Sequence, residues 1–265
     1  MKLSKRTLKI LKNFSEMNPN LRIRKNTNKV NTITAMKNIL ATTTIEEKFT
    51  NEINLYDSKE FVKILNTLSN PEITKVDKEH IHIKSDDFSI KYRMSDPSNM
   101  IVVNKEVNFP KNYYTFTLSK EVISKIIKLS NIIKQPDILF CANGKVLKCI
   151  IMDKYDRGNN FYGSDITFIL GKTKDSYSAF FKTENINKLL EASYDVKVNH
   201  KLVSLFENID DSITNYIALE PDSIFQNNTD WQKSDKERQI VKNKIKKLNK
   251  SHQTQLNKLQ KSLNR

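Results

Sequence analysis

Glycine is nearly missing from this chain, with four residues in 265. That is too few for a glycine-rich phosphate cradle, and no P-loop pattern occurs. Cysteine is scarcer still: only Cys141 and Cys149, with no C-x-x-C and no H-E-x-x-H. The usual zinc ligand spacings are therefore lacking. His80 and His82 alternate along one strand and share a face, but no cysteine or further histidine lies near them in sequence, and His200 and His252 are isolated. No apolar run approaches the roughly 18 to 20 residues that span a bilayer. The opening MKLSKRTLKIL has neither a continuous apolar stretch nor a small-residue cleavage site. These absences leave catalysis without a constellation to rest on, and we expect neither an enzyme, a cofactor, a metal nor a membrane partner. Asn143-Gly144 signals a two-residue hairpin turn that sets Cys141 opposite Val146 and Cys149 opposite Ile138. The thiols are then not cross-strand partners, which suits a reduced, cytoplasmic protein.

Positive charge is plentiful. Lys and Arg number 45 against 30 Asp and Glu, a net of +15, with a pI near 9.6. Such a balance suits a polyanionic partner. At 38% hydrophobic, the chain is long enough for two cores of ordinary domain size.

The chain is also written twice. SKRTLKILKNFS (4–15) returns as SKEVISKIIKLS (119–130), aligning Leu8, Leu11 and Phe14 with Ile123, Ile126 and Leu129 at helical spacing. YDSKEFVKILNTL (56–68) returns as FKTENINKLLEAS (181–193), with Asp57 or Ser58, and Thr183, as N-caps. DDFSIKY (86–92) returns as DDSITNY (210–216), each following an alternating segment and leading into another, which is a hairpin read twice. The aspartates Asp86, Asp87, Asp210 and Asp211 could serve a metal-dependent nuclease, but they sit where turn chemistry wants them. Each half thus reads helix, strands, helix, strands. The first half supplies LRIRKN, NTITAM, ATTTIEE and FTNEINLY, and the second DILFCAN, KVLKCIIM, SDITFILG and YSAFFK. The second half is longer at DKYDRGNNFYG (153–163), and the halves meet near NFPKNYY (108–114). We expect an α+β fold with domains over 1–108 and 109–226 and a tail over 227–265.

Wound at about 100° per residue, Leu3, Ile10, Leu11 and Phe14 gather on one arc of the first helix. Lys2, Lys5, Arg6, Lys9 and Lys12 gather on another, with only Glu16 among them. Lys120, Lys128 and Lys134 lie off the apolar face of the helix at 119–134, with Lys125 at its border, and the shorter helices add Lys59, Lys63 and Lys188. These twelve residues are the candidate DNA contacts. No aromatic platform or base-reading cluster accompanies them, so they favour the phosphate backbone without sequence information.

Twofold repetition of helix–sheet–helix–sheet with basic helices resembles the DNA polymerase sliding clamp family. MKLSK, ILKNF, YDSKEFVKIL, SDPS (95–98), NFP (108–110) and IALEPDS (217–223) look like the clamps of T-even-type bacteriophages, related in architecture to proliferating cell nuclear antigen, and they run in order over residues 1–225. The resemblance implies a DNA-clamp fold and a ring of three subunits, whose helices line a hole for double-stranded DNA. It implies a tether for the DNA polymerase in phage replication, opened by a clamp loader and able to serve late-transcription factors, in the cytoplasm of the infected bacterial host. It also implies a pocket for partner peptides, placed here around Val102, Phe109, Tyr113, Ile217, Leu219 and Pro221. A different reading is a basic architectural or transcriptional protein that binds DNA by an open surface. The sequence departs from the clamp pattern after Phe225. Residues 229–265 hold eleven Lys/Arg against three Asp/Glu, and Val241, Ile245, Leu248, His252, Leu256, Leu259 and Leu263 form a thin helical stripe. We expect a basic tail, helical or partly disordered.

Overall fold

Two serines open the two long helices in the same way. Ser4 accepts a hydrogen bond from the Thr7 amide ahead of α1 (Lys5–Met17), and Ser119 accepts one from Val122 ahead of α3 (Lys120–Ile133). Each satisfies an amide that the first turn leaves without a partner. Asp57 does the same for Glu60 at the start of α2 (Ser58–Thr67). The computed structural model describes residues 1–103, 107–155 and 165–225. The tail and most of the 153–163 loop lie outside them.

In the first half, α1 is followed by β1 (Leu21–Ile23), β2 (Lys29–Ile33), β3 (Ile39–Thr44) and β4 (Ile53–Leu55). Then come α2, β5 (Glu72–Val76), β6 (His80–Lys84) and β7 (Ser89–Arg93). The second half begins with β8 (Tyr114–Leu118) and α3. It continues with β9 (Asp137–Asn143), β10 (Val146–Met152), β11 (Ile166–Lys172), β12 (Ser176–Lys182) and α4 (Thr183–Ile186). It closes with β13 (Tyr194–Val198), β14 (Val203–Asn208), β15 (Thr214–Ala218) and β16 (Ile224–Phe225).

The halves share a sheet. Eight strands run in the order β4-β1-β2-β3-β15-β14-β13-β8, and β3 and β15 join the halves by antiparallel pairing from Thr42↔Thr214 to Ile39↔Ile217. A five-stranded sheet, β11-β10-β9-β12-β16, belongs to the second half, and a three-stranded sheet, β5-β6-β7, to the first. The repeat is visible in the strand order: β4-β1-β2-β3 corresponds to β12-β9-β10-β11. Met1 exchanges backbone hydrogen bonds with Ile73 of β5 (2.7 and 2.9 Å), as β8 does along β13. Strand alternation sends Ile81 and Ile83 toward Phe61, Val62 and Leu65 of α2, and Phe140 and Phe181 toward α3. Phe140, Phe181, Phe206 and Tyr194 form a chain of edge-on rings 5.7 to 6.0 Å apart through the second half.

Two expectations need correction. The helix read over 181–193 is only Thr183–Ile186, and Thr183 is its first residue, not a side-chain cap. Its asparagines bond elsewhere: Asn185 Oδ1 accepts from Asn38, Asn187 Oδ1 accepts from Ser130, and Asn187 Nδ2 donates to Asn131. Such side-chain bonds compete with helix propagation, and Lys188 falls in the turn beyond. The cysteine hairpin also pairs differently. Cys141 faces Lys148 and Cys149 faces Phe140, because Asn143 precedes the turn and accepts from the Lys145 and Val146 amides. Gly144, at φ 80°, is then the first central residue, a position suited to its freedom at positive φ. The thiols lie on opposite faces of the sheet, and burial pushes that of Cys149 well above the ordinary range.

Candidate nucleic-acid interface

The four helices touch one another in series. Lys59 of α2 pairs with Glu16 of α1 at 2.7 Å. Asn13 of α1 donates to the Lys188 carbonyl at 2.9 Å, just after α4. Asn187 then binds Ser130 and Asn131 of α3. The apolar faces of the row enter the core through Ile10, Leu11, Phe14, Phe61, Leu65, Ile123 and Ile126. Lysines outnumber the acidic residues on what remains outside. Lys2, Lys5, Lys9, Lys12, Lys59, Lys63, Lys120, Lys125, Lys128 and Lys134 are all exposed. A cleft of about 400 Å³ between α1 and α2 is lined by Lys12, Glu16, Lys59 and Lys63. Lys134 is the left-handed C-cap of α3, at φ 53°.

Three of the twelve candidates are tied down within the chain, Lys59 by Glu16 and two others at the far end of α1, and Lys188 is half-buried. Lys9 Nζ meets Asp211 Oδ2 at 2.7 Å. Arg6 donates to the carbonyls of Thr44 (2.9 Å) and Asp211 (2.5 Å). Asp211 lies in the β14–β15 turn, so this corner of α1 is fastened to the other half. Asp86 and Asp210 are likewise engaged within the chain. Asp86 accepts from Asn70, and Asp210 accepts from the Ser193 amide.

The described parts of the link between the halves lie against the eight-stranded sheet. Asn18 and Asn20 hold Ile101 by its carbonyl and amide, both at 2.9 Å. Further on, Phe109 packs on Tyr113 and Tyr216 at 5.8 and 6.5 Å. Tyr216 Oη donates to the Val107 carbonyl at 3.3 Å, and Lys197 lies over the Tyr113 ring at 5.4 Å. Cavities flank this cluster. One of about 240 Å³ is lined by Leu40, Val103, Val107 and Tyr216, and one of about 430 Å³ by Lys111, Tyr113, Tyr114, His200 and Phe225. Of the residues expected at a partner pocket, Phe109 and Tyr113 are in the cluster, and Val102 is half-buried and lines neither cavity. Ile217 and Leu219 are core residues, 0% and 5% exposed: β15 turns Ile217 inward, and Leu219, just beyond the strand, is held by its amide on the Leu202 carbonyl at 2.9 Å. Pro221 is exposed, in a segment held by Lys154, which bonds Glu220 at 3.1 Å and Asp222 at 3.0 Å. Sequence reading missed Leu40, Val107 and Tyr216 as lining residues. The tyrosine that ends each copy of the repeated hairpin was the available signal, since Tyr92 likewise leaves its sheet to cap Phe61 at 5.1 Å.

The fold is that of the DNA sliding clamps. PCNA of A. fulgidus, solved with the C-terminal region of FEN-1, superposes with a TM-score of 0.60 at 12% identity, over 82% of this chain and 96% of that one. The beta clamp of Helicobacter pylori, solved with a DNA ligase peptide, gives 0.61 at 12% identity, over 83% and 64%. In sequence the chain is similar to a phage protein. The sliding clamp of Vibrio phage KVP40 is 24% identical over 223 residues, 83% of this chain and 99% of its own length. No family model matches the chain.

Proposed function

We propose that this chain is a phage sliding clamp that encircles double-stranded DNA, tethers the replicative DNA polymerase and catalyses no reaction itself. The observation that carries this reading is the row α2–α1–α4–α3, whose core-facing side is apolar and whose outer side holds ten exposed lysines. Lysine offers a phosphate a mobile point charge without a fixed register, which is what a sliding contact needs.

The repeat suggests how a ring closes. Within the chain, β3 pairs with β15. By the repeat, β11 corresponds to β3 and β7 to β15, yet β11 and β7 are end strands of their sheets among the described residues. Pairing β11 of one copy with β7 of the next would join five strands to three and make another eight-stranded sheet. Such a contact is head-to-tail and closes a ring when the rotation fits. It would cover Ile169 of β11, 75% exposed in the single chain. A homotrimer is the closure we propose, opened by a clamp loader. Partner peptides of the polymerase, and of late-transcription factors, would dock at the cavities beside Phe109, Tyr113 and Tyr216. The site of action is then the cytoplasm of the infected host, and the basic 229–265 tail would add contacts to DNA leaving the ring.

After loading, the protein should remain on circular DNA and slide off the same DNA once linearised. Equal retention on both would favour an open-surface DNA-binding protein instead.

A further inference from the structure

The sheet β5-β6-β7 has a second face, turned away from α2. Its inward residues are Ile73, Ile81 and Ile83. Alternation therefore sends His80, His82 and Lys84 of β6 outward, together with Lys91 and Arg93 of β7 and Lys75 of β5. The register makes rungs of these residues. Lys75 faces His82, His82 faces Lys91, and His80 faces Arg93. Lys75 and Lys91 thus flank one histidine, and an arginine faces the other. Lys75, Lys91 and Arg93 are exposed, and none of them forms an ion pair among the described residues. The nearby carboxylate, Asp77, is already occupied. It accepts from His82 Nε2 at 2.9 Å and from the amides of Glu79 (3.0 Å) and His80 (2.8 Å). Glu72, Asp86 and Asp87 lie toward the opposite end of the sheet, near Lys84.

We propose that this outer face is a second binding surface for the phosphate backbone of duplex DNA, separate from the helix row. The absence of apolar side chains on it, between the turns, argues for nucleic acid over a protein partner. A protein interface needs an aromatic or aliphatic anchor at its centre, whereas backbone phosphates need only cations and hydrogen-bond donors. Arg93 adds the planar fork that matches phosphate oxygens. Strands set about 4.8 Å apart place Lys75 and Lys91 roughly 10 Å from each other, so the rungs form a flat lattice with no groove to read a sequence. The surface stands whether or not the chain closes a ring.

The test is binding of a short linear duplex, followed by fluorescence anisotropy across a salt titration. Lys75→Gln, Lys91→Gln and Arg93→Gln together should flatten the slope of log affinity against log salt by about 2 to 3, at roughly 0.9 for each phosphate no longer neutralised. Lys75→Gln alone, on β5 and away from the β7 edge, should flatten it by about 1. The same triple change made with Lys5, Lys12 and Lys63 already replaced by Gln should remove most of the remaining binding. Retention of the loaded protein on circular DNA should persist in Lys75→Gln, which separates this surface from the helix row. Unchanged slopes in both outer-face variants would overturn the proposal. So would displacement of the duplex by polyglutamate at lower charge concentration than by competitor DNA, since that would make the surface a dock for acidic protein.

Discussion

Lys9 and Arg6 stand in the cationic arc of α1, yet both reach Asp211, which lies 202 and 205 positions further along the chain. One turn residue of one half thus holds two charges of a helix in the other, Lys9 by its carboxylate and Arg6 by its backbone carbonyl. Asp211 is 12% exposed and Lys9 53%, so the pair is half-solvated and contributes on the order of 1 kcal/mol or less to stability. Asp211→Asn should leave the melting temperature nearly unchanged and steepen the salt dependence of duplex binding by about 1. A salt titration beside a thermal melt checks both, and a slope equal to that of the wild type would mean that Lys9 does not face DNA even when released. The division of α1 into an apolar and a cationic arc was legible in the sequence, because it depends on neighbours three and four apart. The tie to Asp211 was not, since nothing local marks a partner two hundred residues away. Ile217 and Leu219 misled for a related reason. Their place in a matching phrase said nothing about whether their side chains turn inward or outward.

At the scale of elements, apolar spacing and its repetition made α1 and α3 readable, and the Asp57 cap helped mark α2; the Ser4 and Ser119 caps, each bonding an amide of the first turn, went unread. The shortened α4 shows the limit of periodicity. Ile186, Leu189 and Leu190 keep helical spacing, but Asn185 and Asn187 spend their side chains on Asn38, Ser130 and Asn131. The pairing of β3 with β15 was equally hidden, because strand patterns show which face is buried and not which strand lies alongside. The correspondence of β11 with β3 yields an expectation at this scale. Ile169 is an exposed apolar residue in the middle of an end strand. Ile169→Asp should leave secondary structure intact, as its side chain packs on nothing buried, and should shift sedimentation from trimer toward monomer at micromolar concentration. A trimer as stable as the wild type would remove β11 from the proposed joint.

For the whole molecule, the helix row is the feature that charge reversal should expose. Lys5, Lys12 and Lys125 are exposed and lie on α1 and α3, one helix from each half. Changing all three to Glu should preserve the fold, weaken retention on circular DNA, and weaken it more steeply as salt rises. Polymerase extension lengths measured with this variant should shorten, and unchanged lengths would mean that the lysine face points away from the duplex. The sheet that crosses the junction has a mechanical consequence. Four backbone-paired positions between β3 and β15, backed by the fastening of Arg6 and Lys9 to Asp211, make the two halves one stiff arc. Bending that arc would mean shearing a hydrogen-bonded ladder. In a ring built from such arcs, compliance belongs to the joints between copies. A loader that pries the ring apart would therefore do its work at one seam while each subunit keeps its curvature.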